Sequence, residues 1–368
     1  MHEPYKALYI HIPFCISRCV YCDFTSTACN SEDVKIDEYI ESLCLDIRKW
    51  AHKAELSEIK TIYIGGGTPS FVGMKRLSML IHALSVFCNI TNNVEFTIEA
   101  NPESLSERMV YDLYALGVNR ISIGVQSFDD DVLKLLGRAH TAQGALDAIG
   151  AVKTRFENVS VDLMCGIPGQ SERQFKQSLA QAIEAGVSHI SIYPLTIEQH
   201  TTLANMILAR QVADVDADVQ ARHMELAAEV LEDAGFKRYE VASYARAGFE
   251  CAHNIAYWTG VSYLGIGTSA ASMTQDENRR MRMQDGHVTD DLNKQQMVAE
   301  DLMLAMRMSR GVKHSQVQEA EKYIAGVKCT FESLQEKGLV ERTQNAWVPT
   351  KQGWLCGNEL YGALYDLA

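Results

Sequence analysis

The sequence predicts an α/β fold: a partial parallel (β/α)6 barrel followed by a smaller, mainly helical, winged-helix-like domain. Three observations carry that expectation. Short apolar runs alternate with stretches of helical periodicity through the first 237 residues, a pattern that demands a parallel sheet with crossover helices. The runs are short, apolar and β-branched, as buried parallel strands are. Residues able to do chemistry recur just past the ends of strand after strand, as on the C-terminal rim of a barrel. A doubly wound open sheet, the structural alternative, would gather its ligand at one switch point.

The elements follow in order. Residues 6–12 read as the first strand, ended by Pro13. Residues 31–53 read as a helix, with Ser31 as N-cap and Ile36, Tyr39, Ile40, Leu43 and Ile47 at helical spacing. A strand at 60–64 runs into Gly65-Gly66-Gly67-Thr68-Pro69, then a helix carrying Leu77, Leu80, Ile81 and Leu84 on one face. Strands are expected at 94–99, 120–124, 159–164 and 189–193. Helices are expected at 104–116, 129–136, 141–154, 171–185 and 219–234, several closed by a glycine. The alternation breaks after Gly235. Residues 276–296 are polar and charged and read as a surface crossing. Helices are then expected at 297–308, 316–335 and 355–367, with a small hairpin between the last two. The domain boundaries drawn from this are 1–237 for the barrel, 238–290 for an extension, and 291–368 for the C-terminal domain.

At 368 residues and a formal charge of −13, the chain is not composed to bind nucleic acid. The C-terminal domain is therefore expected to act as scaffold. No run approaches the ~20 apolar residues of a membrane span. No secretory signal precedes the first strand, so the expectation is a cytoplasmic protein. Ten cysteines in that reducing setting are not read as disulfides.

Three of the ten, Cys15, Cys19 and Cys22, lie in one loop after the first strand. A structural zinc would want four ligands, and no fourth Cys or His sits at finger spacing. A cubane [4Fe–4S] cluster held by three thiolates leaves one iron open. Glycines at 65–67 let backbone approach a ligand closely, and a strand–glycine loop–helix turn presents N–H and C=O groups to it.

Cys-x3-Cys-x2-Cys at the end of the first barrel strand, with Tyr21 just before the last Cys, resembles the radical SAM superfamily. The resemblance implies a [4Fe–4S] cluster on Cys15, Cys19 and Cys22, its open iron chelated by S-adenosylmethionine (SAM). Gly66, Gly67 and Thr68 then resemble the site of the SAM amino group. Glu99 can face the ammonium, Arg138 the carboxylate, and Asp162 or Gln126 the ribose hydroxyls. Ile123-Gly124-Val125-Gln126-Ser127-Phe128 and the stretch from Asp162 to Gly169 are similar to the coproporphyrinogen-dehydrogenase-like branch. That branch implies SAM contacts at Tyr9, at Tyr21 and at the backbone near Met164. No residue is assigned a catalytic role.

Within the branch, His253-Asn254-Ile255-Ala256-Tyr257-Trp258 resembles the His-Asn-x-x-Tyr-Trp words of the HemW haem chaperones. An imidazole can ligate iron and flat aromatic faces can meet a planar ligand. The resemblance implies haem as cargo at His253, Asn254, Tyr257 and Trp258, with His253 as ligand alone or joined by Cys251. It also implies a membrane or respiratory haemoprotein as acceptor, homodimerisation, and peripheral association at the inner membrane. The competing reading is an oxygen-independent coproporphyrinogen III dehydrogenase. Those enzymes carry a fourth cysteine two residues after the third, where this chain has Phe24, and an N-terminal extension ahead of the cysteine loop. The chain departs from the chaperone pattern at Ala252, where an arginine is usual, and at Ala271, where a histidine is usual.

Overall fold

The computed structural model describes residues 3–53, 56–88, 90 and 93–368. Strand β1 (Ala7–Ile12) leads into the cysteine loop, whose ends are tied by the short strands β2 (Phe14–Cys15) and β3 (Thr27–Ala28). Six parallel strands follow the barrel plan: β1, β4 (Thr61–Gly66), β5 (Glu95–Ala100), β6 (Arg120–Gln126), β7 (Asn158–Cys165) and β8 (His189–Pro194). The covering helices are α1 (Val34–His52), α2 (Met74–Phe87), α3 (Glu107–Ala115), α4 (Asp130–Leu135), α5 (Ala142–Lys153), α6 (Glu172–Glu184), α7 (Thr202–Leu208) and α8 (Ala217–Asp233).

After α8 come β9 (Lys237–Arg238), β10 (Ser243–Ala245), α9 (Ala252–Trp258) and β11 (Tyr263–Ile266). An antiparallel run of β12 (Ala271–Gln275), β13 (Arg279–Gln284) and β14 (His287–Asn293) completes one open twelve-stranded sheet in the order β14-β13-β12-β11-β1-β4-β5-β6-β7-β8-β10-β9. The strands segregate their faces. Leu8, Ile10, Ile62, Ile64, Ile98 and Ile121 turn outward into the helix-covered core. The alternate positions turn inward, where Tyr9, Tyr63 and Thr97 stand in register, as do Thr97, Arg120 and Asn158. Barrel interiors are usually filled by branched apolar residues; this one is polar.

The C-terminal region carries its own core, built on Leu302, Met306, Phe331, Trp347 and Leu360. Its elements are α10 (Lys294–Ala305), β15 (Val312–Lys313), α11 (His314–Ala320), α12 (Val327–Glu336), β16 (Val340–Arg342), β17 (Ala346–Pro349), α13 (Lys351–Leu355) and α14 (Gly357–Tyr365).

Several local expectations are corrected. Asp33, not Ser31, caps α1, because its carboxylate accepts the Lys35 N–H. Residues 276–296 are not a surface crossing but the β13–β14 hairpin and the start of α10. Their charges pair across it, Arg279 with Asp291 and Arg282 with Asp290, which is why the segment looked like loop. The expected helix 316–335 is two helices, and α7 had no counterpart among the expected elements.

Candidate functional site

The cysteine loop is fixed from several sides. Phe14 and Cys15 pair with Thr27 and Ala28 in a parallel ladder. Val20 donates its N–H to Leu136 O at 3.2 Å and accepts the Leu203 N–H at 2.8 Å, so the residue after α4 and the start of α7 hold the loop's middle. The glycine turn zips onto its root: Gly67 N–H donates to Ile12 O and Thr68 N–H to Phe14 O, each at 2.8 Å.

Gly66 sits at φ 117, outside the range ordinary side chains adopt. A Cβ on Gly67 would stand 2.8 Å from Phe14 O and 2.9 Å from Cys15 Sγ. Gly67 is thus required by the cysteine loop itself, and Gly66 by its positive φ and by His11, whose ring a Cβ would meet at 2.7 Å.

Cys15, Cys19 and Cys22 line one cavity of about 470 Å3 at the C-terminal ends of the strands. Each of two sulfurs meets a donor. Thr68 Oγ1 donates to Cys15 Sγ at 3.5 Å, and Arg138 Nη1 donates to Cys19 Sγ at 3.3 Å. Burial pushes the Cys15 thiol above its ordinary value, and the Thr68 donor opposes that shift. Among the described residues no group of three or more His, Cys, Asp or Glu side chains is gathered to hold a metal ion. A cubane asks for less convergence, because each thiolate binds a different iron, and three thiols around one cavity meet that need.

The same cavity is lined by Tyr21, Gly66, Gly67, Thr68, Glu99, Gln126, Arg138, Asp162 and Met164. Glu99 accepts the Tyr63 hydroxyl at 2.8 Å and the Gly66 N–H at 3.0 Å. Burial, with the Asp162 charge adding to it, pushes its carboxyl up to about 7, although the two hydrogen bonds resist. Asp162 accepts from Ser122 Oγ at 3.3 Å, and burial raises it as well. Arg138 donates to Asn101 Oδ1 at 2.7 Å and to Gly124 O at 2.5 Å, while its buried Nε has no partner. Gln126 holds φ 68 at a bulge in β6, strain of a kind that clusters where a side chain must be re-aimed. A buried, incompletely paired cation facing two carboxyls across a cavity suits an amino-acid zwitterion, and these residues fit SAM.

Tyr9 is the exception in the set. Its hydroxyl lies 3.0 Å from His11 Nδ1, its ring leans on Tyr63, and it does not line the cavity. Asn101 is a site residue that sequence reasoning missed. It joins Thr68 to Arg138, donating to one and accepting from the other. Its position just past β5, before Pro102, was the available signal.

The His253 group lies at the other end of the barrel. Thr61, its partner, begins β4, and Gly66 ends it, roughly 16 Å away at ~3.3 Å per strand residue. His253 is 2% exposed. Its Nδ1 is 2.8 Å from Thr61 Oγ1, its Nε2 is 3.2 Å from the Tyr257 hydroxyl, and its ring stacks on Tyr63. Burial, aided by Arg120, drives the imidazole down to about 3, so it is neutral. Trp258 Nε1 donates to Glu240 at 3.1 Å. Asn254 and Tyr257 are half-buried. Cys251 is fully buried, and burial pushes its thiol up to about 12. The structure does not bring this group to the cysteine cavity.

Residues 9–182 match the radical SAM superfamily, the span from β1 into α6. The heme chaperone HemW of Bacillus subtilis is 33% identical over 97% of this chain and 98% of its own length. That of Escherichia coli is 38% identical over 76% of this chain and 73% of its own. The structure of the radical SAM enzyme coproporphyrinogen III oxidase (HemN) from Escherichia coli superposes with a TM-score of 0.82. It covers 99% of this chain and 91% of that one at 19% identity, a likeness of fold. A likeness that runs from the cysteine loop through α9 and the C-terminal core places this chain in the HemW haem chaperone family of the radical SAM superfamily.

Proposed function

We propose that this chain is a haem chaperone: it takes up haem and passes it to a haemoprotein, while the barrel mouth holds a [4Fe–4S] cluster and SAM. The observation that carries the reading is the end-to-end similarity to proteins named heme chaperones, which includes α9 and the C-terminal domain. The fold shared with HemN keeps a second reading open, that of a tetrapyrrole-modifying enzyme.

When bound, the cluster supplies an open iron and an electron at low potential. The chain's own residues do the rest. Cys15, Cys19 and Cys22 would supply the thiolates, with Thr68 and Arg138 donating to the sulfurs of Cys15 and Cys19. Ionised Glu99 would hold the SAM ammonium, Arg138 its carboxylate, and Asp162 or Gln126 the ribose hydroxyls, all from around the one cavity. Haem is the cargo. His253 is its proposed ligand, with Asn254, Tyr257 and Trp258 around it. The proposed acceptor is a membrane haemoprotein of a respiratory enzyme, reached from the cytoplasmic side, with a homodimer as the working form. No helix among the described residues is long and apolar enough to cross a membrane.

The test is reconstitution of the cluster, then haem titration followed by its Soret band, then transfer to an apo-haemoprotein. Stable binding and transfer are expected, and His253→Ala is expected to lose binding while keeping the cluster. Release of CO2 and vinyl products from coproporphyrinogen III would overturn the chaperone reading in favour of the enzyme.

A further inference from the structure

We propose that Glu95 is a positioning residue for haem uptake: it holds α9 in the barrel base with His253 masked, and its grip sets how fast the imidazole becomes available. The proposal rests on the reading of His253 as haem ligand. It follows from a conflict on the structure's own terms. An iron ligand needs a free ring nitrogen and an open approach. His253 has neither, being 2% exposed with Nδ1 on Thr61 and Nε2 on Tyr257. Ligation therefore requires that α9 leave its seat.

Glu95 is what holds that seat at its entry. It begins β5, more than 150 residues away in sequence, and its carboxylate receives α9 from below. Oε2 accepts the Ala252 N–H and Oε1 the His253 N–H, each at 2.9 Å, and the Cys251 thiol points at Oε1 from 3.5 Å. A carboxylate on the first free N–H groups of a helix satisfies donors that would otherwise be stranded. α9 is only 7 residues long, too short to persist without such partners. Gly248 and Gly260, both at positive φ, bracket the segment and give it points about which to turn. Its far end is held by the Trp258–Glu240 hydrogen bond, the Arg307 guanidinium over the indole and the Tyr257 ring against Tyr263. Glu95 lies outside the cysteine cavity, so changing it leaves the proposed cluster and SAM residues untouched.

Stopped-flow haem binding to the cluster-loaded full chain tests this. In the unaltered protein the observed rate should level off as haem concentration rises, because opening of α9 becomes limiting. Glu95→Ala should raise that plateau about fivefold, the size of a lost helix cap. Glu95→Gln, which keeps one of the two acceptors and sets its NH2 against the other N–H, should fall between the unaltered rate and that of Glu95→Ala. A rate that climbs linearly with haem and is the same in Glu95→Ala overturns the proposal. Should Glu95→Ala fail to fold, hydrogen exchange on the unaltered chain decides. Amides 252–258 should lose protection when haem binds, and unchanged protection overturns the idea. A chain that binds no haem at all would instead sink the chaperone reading. In that case exchange of those amides in haem-free protein, in bursts separate from global unfolding, still reports whether α9 opens.

Discussion

The Arg138 guanidinium donates to the Cys19 sulfur at 3.3 Å while its own Nε lies buried without a partner. One side chain thus touches a cluster ligand and faces the space proposed for the SAM carboxylate. Arg138→Met should weaken SAM binding at least about tenfold, since a charge-assisted hydrogen bond contributes ~1.5–3 kcal/mol. Cluster content should fall less, because two other thiols and the loop ladder remain. Arg138→Lys should not rescue SAM binding, for a point charge cannot serve Cys19, Asn101 and a carboxylate together. Equilibrium dialysis with SAM, beside iron content per chain, separates the two effects.

Gly67→Ala is expected to empty the cluster site without unfolding the barrel. The added Cβ would meet Phe14 N at 2.9 Å and Phe14 O at 2.8 Å, backbone atoms that cannot rotate away. The root of the cysteine loop must shift, carrying Cys15 with it. Iron content after reconstitution should drop several-fold, while far-ultraviolet circular dichroism stays that of the parent. Full iron loading in the variant would show that the loop adapts.

Glu99 makes SAM binding and stability respond to pH in opposite directions. Its carboxyl is raised from 4.5 to about 7, chiefly by burial. The folded state therefore holds this proton more tightly than the unfolded chain. Its contribution to stability is full below about 4.5 and is lost as pH rises through about 7. An ammonium ligand needs the ionised form, so SAM affinity should rise across the same window. Glu99→Gln should flatten both dependences, read by thermal melts of ligand-free protein and by SAM titrations at pH 6 and 8. A variant that keeps the parent's pH profile would assign the titration to another group, with Asp162 the nearest candidate.

Why the mouth was legible and the base was not follows from what each asks of the chain. Cys15, Cys19 and Cys22, the glycines, Glu99 and Arg138 are tied to a loop or strand end, so their order along the sequence maps onto one rim. His253 is different. Its meaning depends on which face of α9 turns inward and on Thr61, Tyr63 and Glu95, partners more than 150 residues upstream. The imidazole that the motif offers to iron has, in the folded chain, both ring nitrogens within hydrogen-bond distance of Thr61 and Tyr257. The β13–β14 hairpin was missed for a related reason. Its inward face is charged, Arg280 and Arg282 meeting Glu300 of α10, so the usual apolar alternation of a strand is absent.

That charged face is also what joins the sheet to the C-terminal domain. Arg280 and Glu300 pair at 2.6 Å with their side chains 2% and 4% exposed, and Arg282 reaches the other oxygen of Glu300. Arg280 also donates to Gln275 and Asp301, so its charge is fully engaged. Removing Glu300 takes one carboxylate from each arginine but leaves Arg280 with Asp301 and Arg282 with Asp290, so the loss should fall short of the about 3–5 kcal/mol of a buried pair broken outright. Glu300→Ala should still lower the urea midpoint, and earlier for probes in the C-terminal core than for probes in the barrel. Replacing the pair together, as Arg280→Met with Glu300→Leu, should recover part of the loss, because the cost lies in the buried guanidinium left short of a partner more than in the missing contact. A double variant as unstable as Glu300→Ala would show instead that Arg282 and Asp301 depend on the pair for their own placement.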